Sequence, residues 1–84
     1  MDLKAIGTRI KKARESNHLT QEQLAEKVNL SSTHISVVER GIKAPKLETF
    51  VDIANALGVT SDFLLMDVLD DSQQITAISI EISE

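Results

Sequence analysis

Residues 20–41 constrain this chain more than any other segment. Thr20-Gln-Glu-Gln-Leu-Ala-Glu-Lys-Val-Asn-Leu-Ser-Ser-Thr-His-Ile-Ser-Val-Val-Glu-Arg-Gly41 reads as two short helices joined by a tight turn. Leu24, Val28, Leu30, Ile35 and Val38 are the positions such a pair must bury. Ala25 is small where the second helix crosses the first, so the two backbones can approach. Asn29 stands at the corner, where left-handed backbone is needed and Asn tolerates it better than most residues. Thr20 to Gln23 has capping-box form: the Thr20 hydroxyl takes an orphan amide while Gln23 reaches back. Ser31 is the N-cap expected for the second helix, and Gly41 ends it at a position favouring positive φ.

Helical spacing extends to both sides of the pair. Leu3, Ile6, Ile10 and Ala13 predict a first helix over Asp2–Ser16, broken by Asn17-His18. Pro45 pushes Ala44 out of helical geometry, so residues 41–46 form a loop. Leu47, Phe50, Val51, Ala54 and Leu57 make one apolar stripe closed by Gly58, a fourth helix. Thr60-Ser-Asp caps a short fifth helix with Phe63 and Leu64 expected to point inward. The expectation is an all-α fold of five helices over 1–66. Residues 67–84 follow as an acidic linker and an isoleucine-rich tail. Ile75, Ile78 and Ile82 fit a helix face, while Ile78, Ile80 and Ile82 alternate as a strand would; the helix is the preferred reading.

Eighty-four residues with 42% hydrophobic content support one domain around a single modest core. With two Phe and no Trp or Tyr, that core has to be aliphatic. No cysteine is present, which excludes disulfides and thiolate metal sites and suits a reducing cytoplasm. No apolar run approaches the roughly 18 residues of a membrane span, and Met1-Asp-Leu-Lys does not open a signal peptide. An enzyme is the poorest reading. His18 and His34 are the only histidines, and no nucleophile–base spacing or glycine-rich phosphate loop accompanies them. Asp70-Asp71 reads as solvated linker acids, so neither metal nor cofactor is expected.

Net charge is −4, but it is unevenly distributed. Residues 1–46 hold all nine Lys and Arg against five acids; residues 47–84 hold eight acids and no base. The division gives a basic face suited to a polyanion and an acidic back. A helix pair with these spacings is also the arrangement that lays its second helix in a DNA major groove.

Three segments carry a resemblance: Leu19-Thr-Gln-Glu-Gln-Leu-Ala25, Ile35-Ser-Val-Val-Glu-Arg-Gly41 and Leu57-Gly-Val-Thr-Ser-Asp-Phe-Leu64. With them the chain resembles the Cro/C1-type phage-repressor helix-turn-helix family, also called the xenobiotic-response-element family, over about residues 3–66. The resemblance implies a lambda-repressor-like DNA-binding domain in a sequence-specific transcriptional regulator, a repressor, with a recognition helix over about Ser31–Arg40. Gln21 would bond a DNA phosphate and brace that helix. Ser32, Thr33, Ser36 and Val37 would meet base edges, hydroxyls serving as donor or acceptor and methyls facing thymine. His34 would donate to a phosphate or point to a backbone group, and Arg40, Lys43 and Lys46 would grip phosphates. Arg14 and Glu39 would form a partly buried ion pair. Lys46 departs from the family's preference for Ser, Thr or Asp as the cap of the fourth helix. The short residues on the reading face lack a bidentate reader, so they do not spell out a target.

Two partners are expected: double-stranded operator DNA and a second copy of the chain, with the isoleucine-rich tail as a dimerisation element. The competing class is a protein–protein module, such as an antitoxin or partner-docking regulator, built on the same scaffold.

Overall fold

The structure, a computed structural model, describes residues 2–66. The expectations for residues 67–84, a helical tail and a dimerisation element, lie outside the described residues. Five α-helices follow one another: α1 Leu3–Ser16, α2 Gln21–Lys27, α3 Ser32–Glu39, α4 Leu47–Leu57 and α5 Ser61–Leu64. No strand occurs among the described residues. None of the described helices is long and apolar enough to cross a membrane.

The ends of these helices are specified locally. Asp2, Thr20, Ser31 and Thr60 each accept, through the side chain, the amide of the residue three positions on. Each satisfies a donor that has no partner inside the helix. At α2 the box is complete, since the Thr20 amide donates to Gln23 Oε1 at 2.8 Å. Lys46 opens α4 without any side-chain cap. Four helices then stop in one way. His18, Asn29, Gly41 and Gly58 have φ of 58°, 61°, 72° and 71°. In each case the next amide, of Leu19, Leu30, Ile42 or Val59, donates to a carbonyl five residues back, on Arg14, Ala25, Val37 or Ala54. This is the Schellman closure, and it needs one residue in left-handed backbone.

Each helix supplies one large side chain with no exposed surface: Ile10, Leu24, Ile35, Ile53 and Leu64. All five are aliphatic. Ile6, Ala13, Ala25, Val38, Phe50, Ala54 and Leu57 complete the core, and Val28 and Leu30 pack against it half-buried. Two expectations need correction. In α4 the buried face is Phe50, Ile53, Ala54 and Leu57, whereas Leu47 and Val51 are exposed. Apolar residues cover a wide arc of this helix, and the stripe read from sequence was centred too far to one side. In α5 only Leu64 points inward. A four-residue helix has room for one core contact; Phe63 stays partly exposed, its ring centroid 5.7 Å from the Arg9 guanidinium carbon, a cation–π approach.

Two stability measurements follow. Ile53→Ala is expected to lose about 2–5 kcal/mol in denaturant unfolding, against within about 0.5 kcal/mol for the exposed Leu47→Ala. At the α2–α3 corner, Asn29→Ala should lower the melting temperature, since Ala pays the left-handed penalty of about 1 kcal/mol that Asn partly avoids. Asn29→Gly should melt at or above the parent.

Candidate nucleic-acid interface

Successive residues of an α-helix step by about 100°, so the buried residues of α3 fix what it shows to solvent. Ile35, Val38 and Glu39 are buried. Thr33, Ser36 and Val37 therefore lie on the opposite side, with Ser32 and His34 on its two flanks. Thr33 and His34 are exposed, whereas Ser32, Ser36 and Val37 are half-buried. The His34 amide donates to Ser31 Oγ at 3.2 Å as part of the cap, leaving the exposed imidazole for other contacts. The four residues expected at base edges thus form one short, uncharged, hydroxyl- and methyl-bearing strip.

What holds this strip in place is a polar cluster beneath α3. Arg14 Nε donates to Glu39 Oε2 at 2.6 Å, and Arg14 Nη2 donates to Oε1 at 3.1 Å, a bidentate pair. Arg14 Nη1 donates to the Leu19 carbonyl at 2.7 Å, and Gln21 Nε2 donates to Glu39 Oε1 at 3.0 Å. Helix α1, the α1–α2 turn and the first residue of α2 are all fastened to the last residue of α3. Both charges are buried, Arg14 at 7% and Glu39 at 6% exposure. The hydrogen bonds that Arg14 donates to Glu39, opposed by burial, raise the Arg14 pKa above its ordinary value, so the guanidinium stays charged.

Gly7 brings α1 against the same helix end. A Cβ at position 7 would lie 2.6 Å from the Val38 carbonyl oxygen and nearer still to that of Glu39. Only glycine permits that approach. Gly41 repeats the device one residue past the α3 cap: a Cβ there would be 2.7 Å from the Lys4 Cα. That contact places Lys4, which is exposed, beside the segment carrying Arg40 and Lys43. Arg40, Lys43 and Lys46 are all exposed on the stretch leaving α3. The sequence reading named those three and missed Lys4. Nothing in a helix pattern tells which of its lysines meets a distant loop; the paired glycines at 7 and 41 were the available signal. Gln21 was expected at a phosphate; here one of its amide hydrogens is engaged by Glu39, leaving the carbonyl oxygen and the second hydrogen.

Residues 10–64 match the helix-turn-helix family. The chain belongs to that family. This helix-turn-helix chain is 46% identical over 54 residues to the immunity repressor protein of Bacillus phage phi105, covering 64% of this chain and 38% of that protein. It is 34% identical over 61 residues to the HTH-type transcriptional regulator ImmR of Bacillus subtilis (strain 168), covering 73% and 48%. The chain therefore spans less than half the length of these two curated relatives. Among solved structures it is similar to the restriction-modification controller protein C.AhdI from Aeromonas hydrophila. That match has a TM-score of 0.72 and 32% identity, over 75% of this chain and 96% of that one. It is likewise similar to the P22 c2 repressor protein, crystallised in complex with synthetic operator 9T. There the TM-score is 0.68 and the identity 30%, over 70% of this chain and 89% of that one.

The cluster and the outward strip separate by mutation. Glu39→Ala strands a buried guanidinium and is expected to cost about 3–5 kcal/mol in chemical denaturation. Ser36→Ala should stay within about 0.5 kcal/mol of the parent. Equal losses for the two would show that Glu39 does not hold the helices together.

Proposed function

We propose that this chain is a sequence-specific, double-stranded DNA-binding transcriptional regulator, a repressor, that lays Ser31–Arg40 in the major groove. One observation carries the reading. The outward side of α3 is a strip of short side chains on a helix whose last residue is pinned, through Glu39, to two other helices. A surface meant only for solubility needs no such anchoring, whereas base-edge hydrogen bonds lose value when their donors move. The kinship with a phage immunity repressor and with a repressor crystallised on an operator supports the same reading.

In this mechanism Ser32, Thr33 and Ser36 exchange hydrogen bonds with base edges, and the methyls of Thr33 and Val37 meet thymine methyls. Gln21 offers its remaining amide hydrogen to a phosphate, and the His34 imidazole does likewise at the other flank. Arg40, Lys43, Lys46 and the neighbouring Lys4 neutralise backbone charge independently of sequence. Two copies about a two-fold axis would address half-sites about one helical turn apart, roughly 34 Å. Repression needs only that the operator be occupied, which a DNA-binding domain can do by itself.

Titration of the chain with random duplex DNA at two salt concentrations tests the proposal. Four cations, at about −0.9 each, give a slope of log K against log salt of about −3.6 per bound copy. Lys43→Ala should reduce it by about one per copy. A selected operator duplex should bind more tightly than random duplex, and Ser36→Ala should erode that difference while leaving random-duplex affinity unchanged. Absence of binding at low salt would overturn the reading.

A further inference from the structure

The α3–α4 loop, the first turn of α1 and the start of α4 enclose an apolar groove of about 370 Å³. Leu3, Ile6, Pro45, Leu47, Phe50 and Leu65 line it. Leu47, at its rim, is 78% exposed. A lone exposed leucine is ordinary, but a groove with several apolar residues marks an interaction surface. Charges of both signs border it, and its lysines gather at the α3–α4 loop. Lys4, next to Leu3 and against Gly41, faces the loop on which Lys43 and Lys46 bracket Pro45 and Ala44, a further lining residue; Asp2, Glu48 and Asp62 adjoin Leu3, Leu47 and Ser61, and all six charged residues are exposed. An apolar floor with lysines gathered at one end suits an apolar segment that can set carboxylates at that end.

This chain contains such a segment. Residues 67–84 hold Ile75, Ile78, Ile80 and Ile82 together with Asp67, Asp70, Asp71, Glu81 and Glu84, and no base. The segment is joined to the domain two residues past Leu65, itself part of the groove. Nine residues lie between Leu65 and Ile75, and at about 3.3 Å per step the chain can span roughly 30 Å. A linker this short raises the effective concentration to the millimolar range, so weak intrinsic affinity is enough for docking.

We propose that the acidic isoleucine segment 67–84 docks into the groove of its own chain, isoleucines on the floor and carboxylates against Lys4, Lys43 and Lys46. The consequence rests on the function proposed above: the docked segment masks the lysines that grip phosphate, and DNA must displace it. The segment then acts as an internal competitor of the nucleic acid.

The absence of cysteine makes the test direct, because Ser83→Cys gives a single site for a nitroxide spin label. In the full chain, amide signals of Leu3, Ile6, Leu47 and Phe50 should lose intensity several-fold more than those of Glu22 and Glu26 on α2. Leu47→Ser should remove that contrast while leaving the remaining amide shifts in place. No contrast in the parent overturns the proposal. Contrast that reappears when labelled chain is mixed with isotope-enriched, unlabelled chain overturns it too, since the occupant is then a second copy. The combined substitution Ile78→Ser and Ile80→Ser conserves charge and should tighten random-duplex binding several-fold at low salt; unchanged affinity overturns the masking. If no variant binds DNA at all, the regulator reading fails while the spin-label result still decides the docking.

Discussion

Glu39 accepts three hydrogen bonds, two from Arg14 and one from Gln21, and through them the last residue of α3 is tied to α1 and to the start of α2. Taking both charges out of water is costly, and an ion pair in such a place is not in itself a source of stability. Its value here is positional. Apolar packing fixes that α3 lies on α1 and α2 but tolerates sliding and rotation, whereas a bidentate guanidinium–carboxylate pair has one geometry. The further bond from Arg14 to the Leu19 carbonyl extends that geometry to the α1–α2 turn. Everything displayed on the outer side of α3 inherits its orientation from this cluster.

The order of the helices and nearly all their ends were legible in the sequence because they depend on neighbours a few residues away. Thr20 with Gln23, Ser31, Thr60, Asn29, Gly41 and Gly58 each act within one turn, through a cap or a left-handed residue, and no tertiary information is needed to place them. His18 at φ 58° closes α1 in the same manner. The Asn17-His18 pair was readable as a break, but the role of the Asn17 side chain was not. Its amide donates to the Ala13 and Leu57 carbonyls, joining the end of α1 to the end of α4 across forty residues of chain.

The misplaced face of α4 has a similar origin. Apolar residues at 47, 50, 51, 53, 54 and 57 outnumber what one narrow stripe can hold, and only the positions of the other helices decide that Ile53 goes in while Leu47 and Val51 stay out. Among the candidate site residues, Ser32 to Arg40 were locatable from the helix register alone. Lys4 was not, because its place beside the α3–α4 loop comes from the backbone contact at Gly41.

The contact at Gly7 has one more implication. Where side chains separate two helices, altering the core moves their axes; here main chain rests on main chain, and the spacing between α1 and the end of α3 is set by backbone contact and not by the size of any side chain. Under the function proposed above, substitutions on the outer strip of α3 would then change which duplex is preferred with no drift in how far that strip projects. Evolution and protein engineering alike receive a reader whose alphabet is variable and whose chassis is not.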